Sequence, residues 1–387
     1  MEFKYNPKYP IVEDLRKKAR KRIPKFVFDY LDGGCNEDIN LNKNMSDIRE
    51  VELMPEYLSG RTGASMKIEL FGYTYDAPFG IAPVGLQGLI WPNSAEILAK
   101  AAFRHNIPFV LSTTSTSSIE RICEITEGRA WFQLYHPTEN SLRDKIIRRA
   151  EDAGCSVLVV LSDVPDFGYR PRDIRNGLAV PPRITLSNIL QVIRRPRWAI
   201  QSLIHGQPRF QLLMPYMPKH MDIRKLAVFM GETFTGKLNE QKIGAIRDMW
   251  RGKLVLKGVS NEMDAERAIK LGLDGIIVSN HGGRQLDAGE SAIHSLKRLA
   301  ESYSGKIKIM MDSGLRSGPD IARVLASGAE FTFLGRPFMY GAAALGKEGG
   351  DHTISILKSQ LLQVMEQVCC SEVRDLPRHL ITRNRVV

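Results

Sequence analysis

The chain has 387 residues, 43% of them apolar and 25% charged, with 54 Lys+Arg against 43 Asp+Glu and five cysteines. This globular composition excludes a disordered tail, a collagen-like fibre and a small disulfide scaffold, and the length admits one large α/β barrel or two to three smaller domains. No window reaches the roughly 18 uninterrupted apolar residues of a spanning helix, and the charged N-terminus has no apolar stretch behind it. The five cysteines show no CxxC or Cys/His ligand spacing, so free thiols, no metal site and a cytoplasmic location are expected.

Residues 1–78 hold a helical pattern over 11–22 and a second helix opening after Pro24, a helical cap rather than a separate domain. From there, apolar runs of strand length alternate with helical patterns. The runs are 79–85 (FGIAPVG), 108–112 (PFVLS), 130–134 (AWFQL), 156–162 (SVLVVLS), 254–257 (LVLK), 275–279 (GIIVS), 307–312 (IKIMMD) and 330–334 (EFTFL). The helix after the third run shows one apolar face (Leu142, Ile146, Ile147, Ala150) and stops at Gly154. Eight such βα units predict a (β/α)8 TIM barrel. The expected layout is a single domain over 1–387: cap 1–78, barrel 79–345 and a C-terminal helical segment 346–387. An insertion at about 166–239 is far longer than a usual βα loop.

Most of the net positive charge lies in that insertion. Between residues 177 and 225 stand Arg183, Arg194, Arg195, Arg197, Arg209, Lys219, Arg224 and Lys225 against Asp222 alone. They are mixed with Ile189, Leu190, Trp198, Ile200, Leu203, Ile204, Phe210, Leu212, Leu213, Met214, Tyr216 and Met217, which suits an anionic lipid surface. A basic cover over a subunit interface is the alternative reading. Nucleic acid is not expected as a partner, because no helix-turn-helix, zinc-finger or RNP pattern accompanies the charge.

The C-terminal ends of barrel strands carry active sites, and here they carry the polar residues. Asp312 to Arg316 (DSGLR) after the seventh run and Gly335-Arg336 after the eighth stand where barrels build a phosphate site from backbone N–H groups and guanidinium forks. Two tight turns with surface arginines are the plainer alternative. After the sixth run, His281 lies between strand end and glycines with Arg284 three residues on: a group that titrates near neutrality beside a carboxylate-binding cation. The pair points to proton removal from a carboxylate-bearing substrate. The remaining histidines are expected to be structural.

SNHGGRQLD at 279–287, with FDYLDGG (28–34), WFQLY (131–135), LVLKG (254–258), MDSGLRSG (311–318) and LGRP (334–337), resembles the FMN-dependent L-2-hydroxy acid dehydrogenases and oxidases, in the pattern of their mandelate and respiratory lactate dehydrogenase branch. The resemblance spans nearly the whole chain. It implies that His281 is the active-site base and Asp163 its partner, raising the imidazole pKa; that Arg284 and Arg170 hold the substrate carboxylate; and that Tyr30 and Tyr135 bond the substrate's carboxylate and hydroxyl. Lys257 would lie at the flavin's N1 and O2. Pro83, Val84, Gly85, Ser112, Gln133 and Ser279 would surround the ring, and Asp312, Gly314, Arg316, Gly335 and Arg336 the ribityl and phosphate end of FMN.

Two residues depart from the family pattern. Leu161 stands where many members have a hydroxyl, on the same face as Asp163, and Thr114 where glycolate oxidase has Trp. Gly85, where oxidases commonly have Ala, and the basic insertion imply a membrane-associated dehydrogenase, peripheral on the cytoplasmic face of the inner membrane, that passes electrons to quinone or another respiratory acceptor. The family usually forms tetramers, so a homotetramer is expected. The alternatives are a soluble oxidase releasing hydrogen peroxide, or a biosynthetic FMN enzyme with a specialised substrate.

Overall fold

After a short antiparallel hairpin (β1, Ile68–Leu70; β2, Tyr73–Tyr75), the eight apolar runs become eight parallel strands. They are β3 (Phe79–Ile81), β4 (Val110–Ser112), β5 (Trp131–Leu134), β6 (Val157–Leu161), β7 (Lys253–Val259), β8 (Gly275–Val278), β9 (Lys308–Met311) and β10 (Phe331–Leu334). In this computed structural model the described residues are all but 1–5, 62, 179–182, 184, 207, 218–228, 230, 235–236 and 383–387. The sheet runs β3-β10-β9-β8-β7-β6-β5-β4, and a parallel bridge from Ile81 to Phe109 joins its ends, closing the barrel.

Period-two alternation decides which side chains fill it. Val157 and Val159 of β6 join Val110, Trp131, Val255, Ile277, Met310, Phe331 and Phe333 in the interior, while Leu158 and Val160 face the surrounding helices. The interior at the N-terminal end is closed by the hairpin, an element that the helical pattern of residues 1–78 does not include. Phe71 lies 5.7 Å from the Trp131 ring and Tyr75 5.8 Å from Phe331, each against the first residue of a strand. Phe71 and Gly72 both have positive φ (54° and 84°), the backbone of a tight type I′ turn. Three-residue strands joined by Phe-Gly carry too little periodicity and no Asn-Gly or Asp-Gly signal to announce themselves.

Helices α1 (Val12–Arg22), α2 (Lys25–Asp32) and α3 (Ile39–Arg49) complete the cap. The C-terminal end of α2 meets the catalytic face, because its otherwise unbonded carbonyls are taken by arginines of the barrel. Arg284 Nη1 donates to Tyr30 O (2.7 Å) and Gly33 O (2.9 Å). Arg336 donates to Leu31 O (3.1 Å) and Gly33 O (2.8 Å). Asp32 receives Arg16 at 2.6 and 2.8 Å and the Tyr340 hydroxyl at 2.6 Å, so the FDYLDGG segment is held to the last barrel helix, Arg336–Leu345.

The insertion after β6 carries helices Pro171–Arg175, Leu186–Ile193 and Pro196–His205 before the helix Glu240–Met249 returns the chain to β7. Its apolar residues divide into two sets, which corrects the reading that took them together as one lipid-facing mixture. Trp198, Phe210, Leu212 and Leu213 are buried; the Trp198 indole N–H donates to Leu89 O and Ile90 O, and its ring meets Phe26 edge-on. Ile189, Leu190, Ile200, Leu203, Ile204 and Met214 are exposed. The tryptophan therefore pins the excursion to the body, and helices Leu186–Ile193 and Pro196–His205 present Ile189, Leu190, Ile200, Leu203 and Ile204 outward. Lys219, Asp222, Arg224 and Lys225 lie outside the described residues. Among the described residues no helix is long and apolar enough to cross a membrane.

Candidate active site

The loop after β8 brings His281 to the C-terminal mouth of the barrel with φ 58°, a left-handed conformation uncommon for a residue with a Cβ. Ser279 Oγ accepts the His281 N–H (3.1 Å) and Ser313 Oγ accepts the Gly282 N–H (2.9 Å), so side chains from the β8 and β9 ends hold the turn. His281 Nδ1 lies 3.1 Å from Asp163 Oδ1. With the carboxylate ionised, that contact places the ring proton on Nδ1 and leaves Nε2 as a free acceptor. Asp163 Oδ2 is buried without a partner.

The electrostatics correct one expectation. Asp163 does favour the imidazolium, but desolvation, with Lys257 and Arg170 adding to it, outweighs the carboxylate and leaves the His281 pKa below its ordinary value rather than above it. Desolvation would raise the Asp163 pKa, but His281 and Lys257 overcome it and the carboxylate stays ionised. The result is a neutral imidazole beside an anion, ready to accept a proton.

Facing this pair are two guanidinium groups. Desolvation and then Arg170 push Arg284 down to about 10, so like charges share one space. Arg170 Nε is buried without a partner, and its nearest carboxylate, Asp173, is at 4.0 Å. Arg284 also sits 5.1 Å from the Tyr30 ring centroid. Tyr135 is close enough to Asp163, Arg170, Tyr30 and Arg284 to feel their charge; desolvation, with Asp163 next, raises its phenol pKa and keeps the O–H a donor. The charge and donors of this cluster suit an anion.

On the other side of the mouth stand the residues expected around FMN. Lys257, 3% exposed, lies 3.1 Å from Asp312 Oδ2 and donates to Ser279 Oγ (2.8 Å). Ser112 Oγ donates to Gln133 Oε1 (3.2 Å), while the Gln133 amide nitrogen is buried with nothing to bond. Pro83, Val84 and Gly85 follow β3 and are half-buried. Gly85 is tied to Thr114: a Cβ there would come within 2.4 Å of Thr114 Oγ1. Leu161 ends β6 on the interior side with Asp163, while Ser162 Oγ turns away and donates to Lys257 O (2.8 Å).

At the β9 and β10 ends, Arg336 bonds only main-chain carbonyls, the third being Gly282 O at 3.0 Å. Desolvation, then Arg316 and Arg284, push its pKa down to about 9. Arg316 Nη1 likewise donates to a carbonyl, Leu315 O, at 2.9 Å. Gly314 (φ 91°) sits where a Cβ would strike Asn44 O at 2.6 Å, and Gly335 caps the helix beginning at Arg336. An orphaned amide beside the ring position and two arginines without a counter-anion fit a bound flavin phosphate. All residues expected at the site thus lie at one barrel mouth. Gln285 falls inside the SNHGGRQLD motif with no role expected of it, yet its side chain makes four contacts to the loop after β6. The motif marks its position, and only the folded loop shows its partners.

Residues 19–383 match the FMN-dependent dehydrogenase family. The chain is 34% identical to L-lactate dehydrogenase of Alcaligenes faecalis over 371 residues, covering 96% of this chain and 98% of that protein. It is 36% identical to (S)-mandelate dehydrogenase of Pseudomonas putida over 366 residues, 94% of this chain and 92% of that one. The crystal structure of the monotopic membrane protein (S)-mandelate dehydrogenase superposes with a TM-score of 0.91 at 34% identity, covering 97% of this chain and all of the other. A mandelate oxidase structure superposes at 0.80 and 31% identity, over 97% and 99% of the two chains. With barrel, basic mouth and sequence in agreement, the chain belongs to the FMN-dependent dehydrogenase family, and its cofactor is FMN.

Proposed function

We propose that the protein oxidises an L-2-hydroxy acid of the lactate or mandelate type to the 2-oxo acid and passes the electrons to a quinone at a membrane surface. One observation carries the reading: His281, with Nδ1 on Asp163, faces two arginines, one of which has a buried Nε without a partner. Arg170 and Arg284 hold the substrate carboxylate, Tyr30 assists them, and Tyr135 donates to the reacting hydroxyl oxygen. His281 Nε2 takes one proton as the C–OH becomes C=O, and Asp163 stabilises the resulting imidazolium. FMN would be held by Lys257, Gln133, Ser112, Ser279, Arg316 and Arg336 and would supply the acceptor for the two electrons and the second hydrogen.

The test is anaerobic mixing of FMN-loaded protein with L-lactate, L-mandelate and glycolate, followed by a quinone analogue or oxygen. Bleaching by an L-acid and recovery much faster with quinone is the expected result. Recovery fastest with oxygen would mean an oxidase, and no bleaching by any acid would overturn the reading.

Peripheral membrane binding is supported by the exposed Ile200, Leu203 and Ile204 beside Arg194 and Arg197. Full burial of a Leu or Ile side chain contributes about 1.5–3 kcal/mol. Leu203→Glu with Ile204→Glu is therefore expected to weaken sedimentation with anionic vesicles by roughly 10²- to 10⁴-fold. Anaerobic bleaching in detergent should stay unchanged, because neither side chain touches the barrel mouth.

A further inference from the structure

Arg170 stands on the loop after β6, while Arg284 follows β8. For both to grip one carboxylate, something must set the distance between the loops. The β6 loop has little of its own to hold it: Asp166, Phe167 and Tyr169 are exposed, so apolar burial does not fix it. What it meets is Gln285. The Gln285 amide nitrogen donates to Asp163 O (3.2 Å) and Asp166 O (3.0 Å). Its amide oxygen accepts from the Gly168 N–H (3.3 Å) and from Arg170 Nη2 (3.4 Å). Both ends of one carboxamide are used, on four groups of a single loop. Gly168 makes the approach feasible, since a Cβ there would come within 2.2 Å of Arg284 O.

We propose that Gln285 is a positioning residue for substrate binding: it sets Arg170 opposite Arg284, joining the two halves of the carboxylate clamp. The proposal rests on the functional reading above. Its action falls on Arg170 rather than on the proton-transfer pair, because Asp163 has anchors of its own. Ser162, next to it, donates through both N–H and Oγ to Lys257 O, at 2.8 Å each. Beyond residue 166 the loop is also tied to the cap by Asn36 N–H to Tyr169 O at 2.9 Å and, past Arg170, by the Arg172 ion pairs with Asp38 and Asp32 and the Asn176 amide on Asp29 (2.8 Å). These ties hold the backbone on either side, whereas Gln285 bonds the Arg170 guanidinium itself, so removing Gln285 frees the Arg170 side chain while the His281–Asp163 contact stays in place.

Gln285→Met keeps the length of the side chain and removes all four bonds. The expected result is a loss of about 10- to 100-fold in affinity for pyruvate or phenylglyoxylate, read calorimetrically on the oxidised holoenzyme, and the same loss for the L-acids. The flavin reduction rate at saturating substrate should change less than threefold, and the acid limb of kcat/KM should not move. In an Arg170→Met background the same substitution should add little, since the arm it positions is gone. Gln285→Leu likewise removes all four bonds without adding a charge, so it should show the same split; it serves if the Met variant fails to retain FMN.

Affinity within threefold of wild type overturns the proposal, as does an equal loss with and without Arg170, or a loss confined to the rate at saturation. Wild-type protein that binds neither 2-oxo acid and is bleached by no 2-hydroxy acid overturns the functional reading, and this proposal with it.

Discussion

His281→Gln is expected to slow anaerobic flavin reduction by roughly 10²- to 10⁴-fold, the range that a well-placed general base contributes. Affinity for the 2-oxo acid should be nearly unchanged, because Arg170 and Arg284 bear the carboxylate. The pH dependence gives a sharper result. The base must be neutral to act, and in this site desolvation holds the His281 pKa below its ordinary value despite Asp163. In wild type kcat/KM should therefore stay level through neutrality and fall only as pH drops through a pKa below the usual imidazole value of about 6.5. Asp163→Asn removes the one nearby anion that favours the imidazolium, so its acid limb should move to still lower pH. The plateau should fall too, because the imidazolium formed during the reaction loses its partner. A limb that moves up in Asp163→Asn would mean that the carboxylate does not favour the imidazolium, and would overturn this account of the His281 pKa.

Lys257→Met should have the other large effect, on stability and on rate. Desolvation disfavours the ammonium, but Asp312 and Asp163 outweigh it and the pKa is raised, so the group remains a fixed cation. Deleting it leaves Asp312, 7% exposed, with the neighbouring Ser313 hydroxyl (2.9 Å) as its remaining side-chain partner. Breaking a buried pair from one side costs about 3–5 kcal/mol. Thermal unfolding should show that loss, and FMN retention should weaken. Flavin reduction should fall roughly 10²- to 10³-fold, the usual effect of removing one preorganised electrostatic group. Lys257→Met combined with Asp312→Asn should recover much of the stability, since the Asp312 charge that lost its partner is removed with it, but none of the rate. Recovery of both would assign Lys257 a purely structural role.

The barrel and its mouth are legible in the sequence for different reasons. Apolar strand runs such as 156–162 stand out because a parallel strand is buried on both faces, so nearly every residue in it is apolar. The polar residues that interrupt such runs at their ends, Asp163, Lys257 and His281, are conspicuous for the same reason. Less is legible where identity does not imply direction. Trp198 and Leu203 lie five residues apart in one helix, and both are apolar, yet the first is buried against Phe26 and the second is 81% exposed. The hairpin at 68–75 escapes a reading by period because its strands are too short to show one.

By itself the sequence determined the fold class, the family and which side chains meet at the barrel mouth, because these follow from local periodicity and from motifs whose order the strands preserve. Only the tertiary structure decided how those side chains behave. The net pKa of His281 sets Asp163 against desolvation, Lys257 and Arg170, and these groups come from the β6 loop and β7 rather than from the loop that carries His281. The work of Gln285 depends on a loop more than a hundred residues earlier in the chain folding back over its amide. Neither the dielectric around a group nor the partner across a loop is a property of neighbouring residues, so neither can be read along the chain.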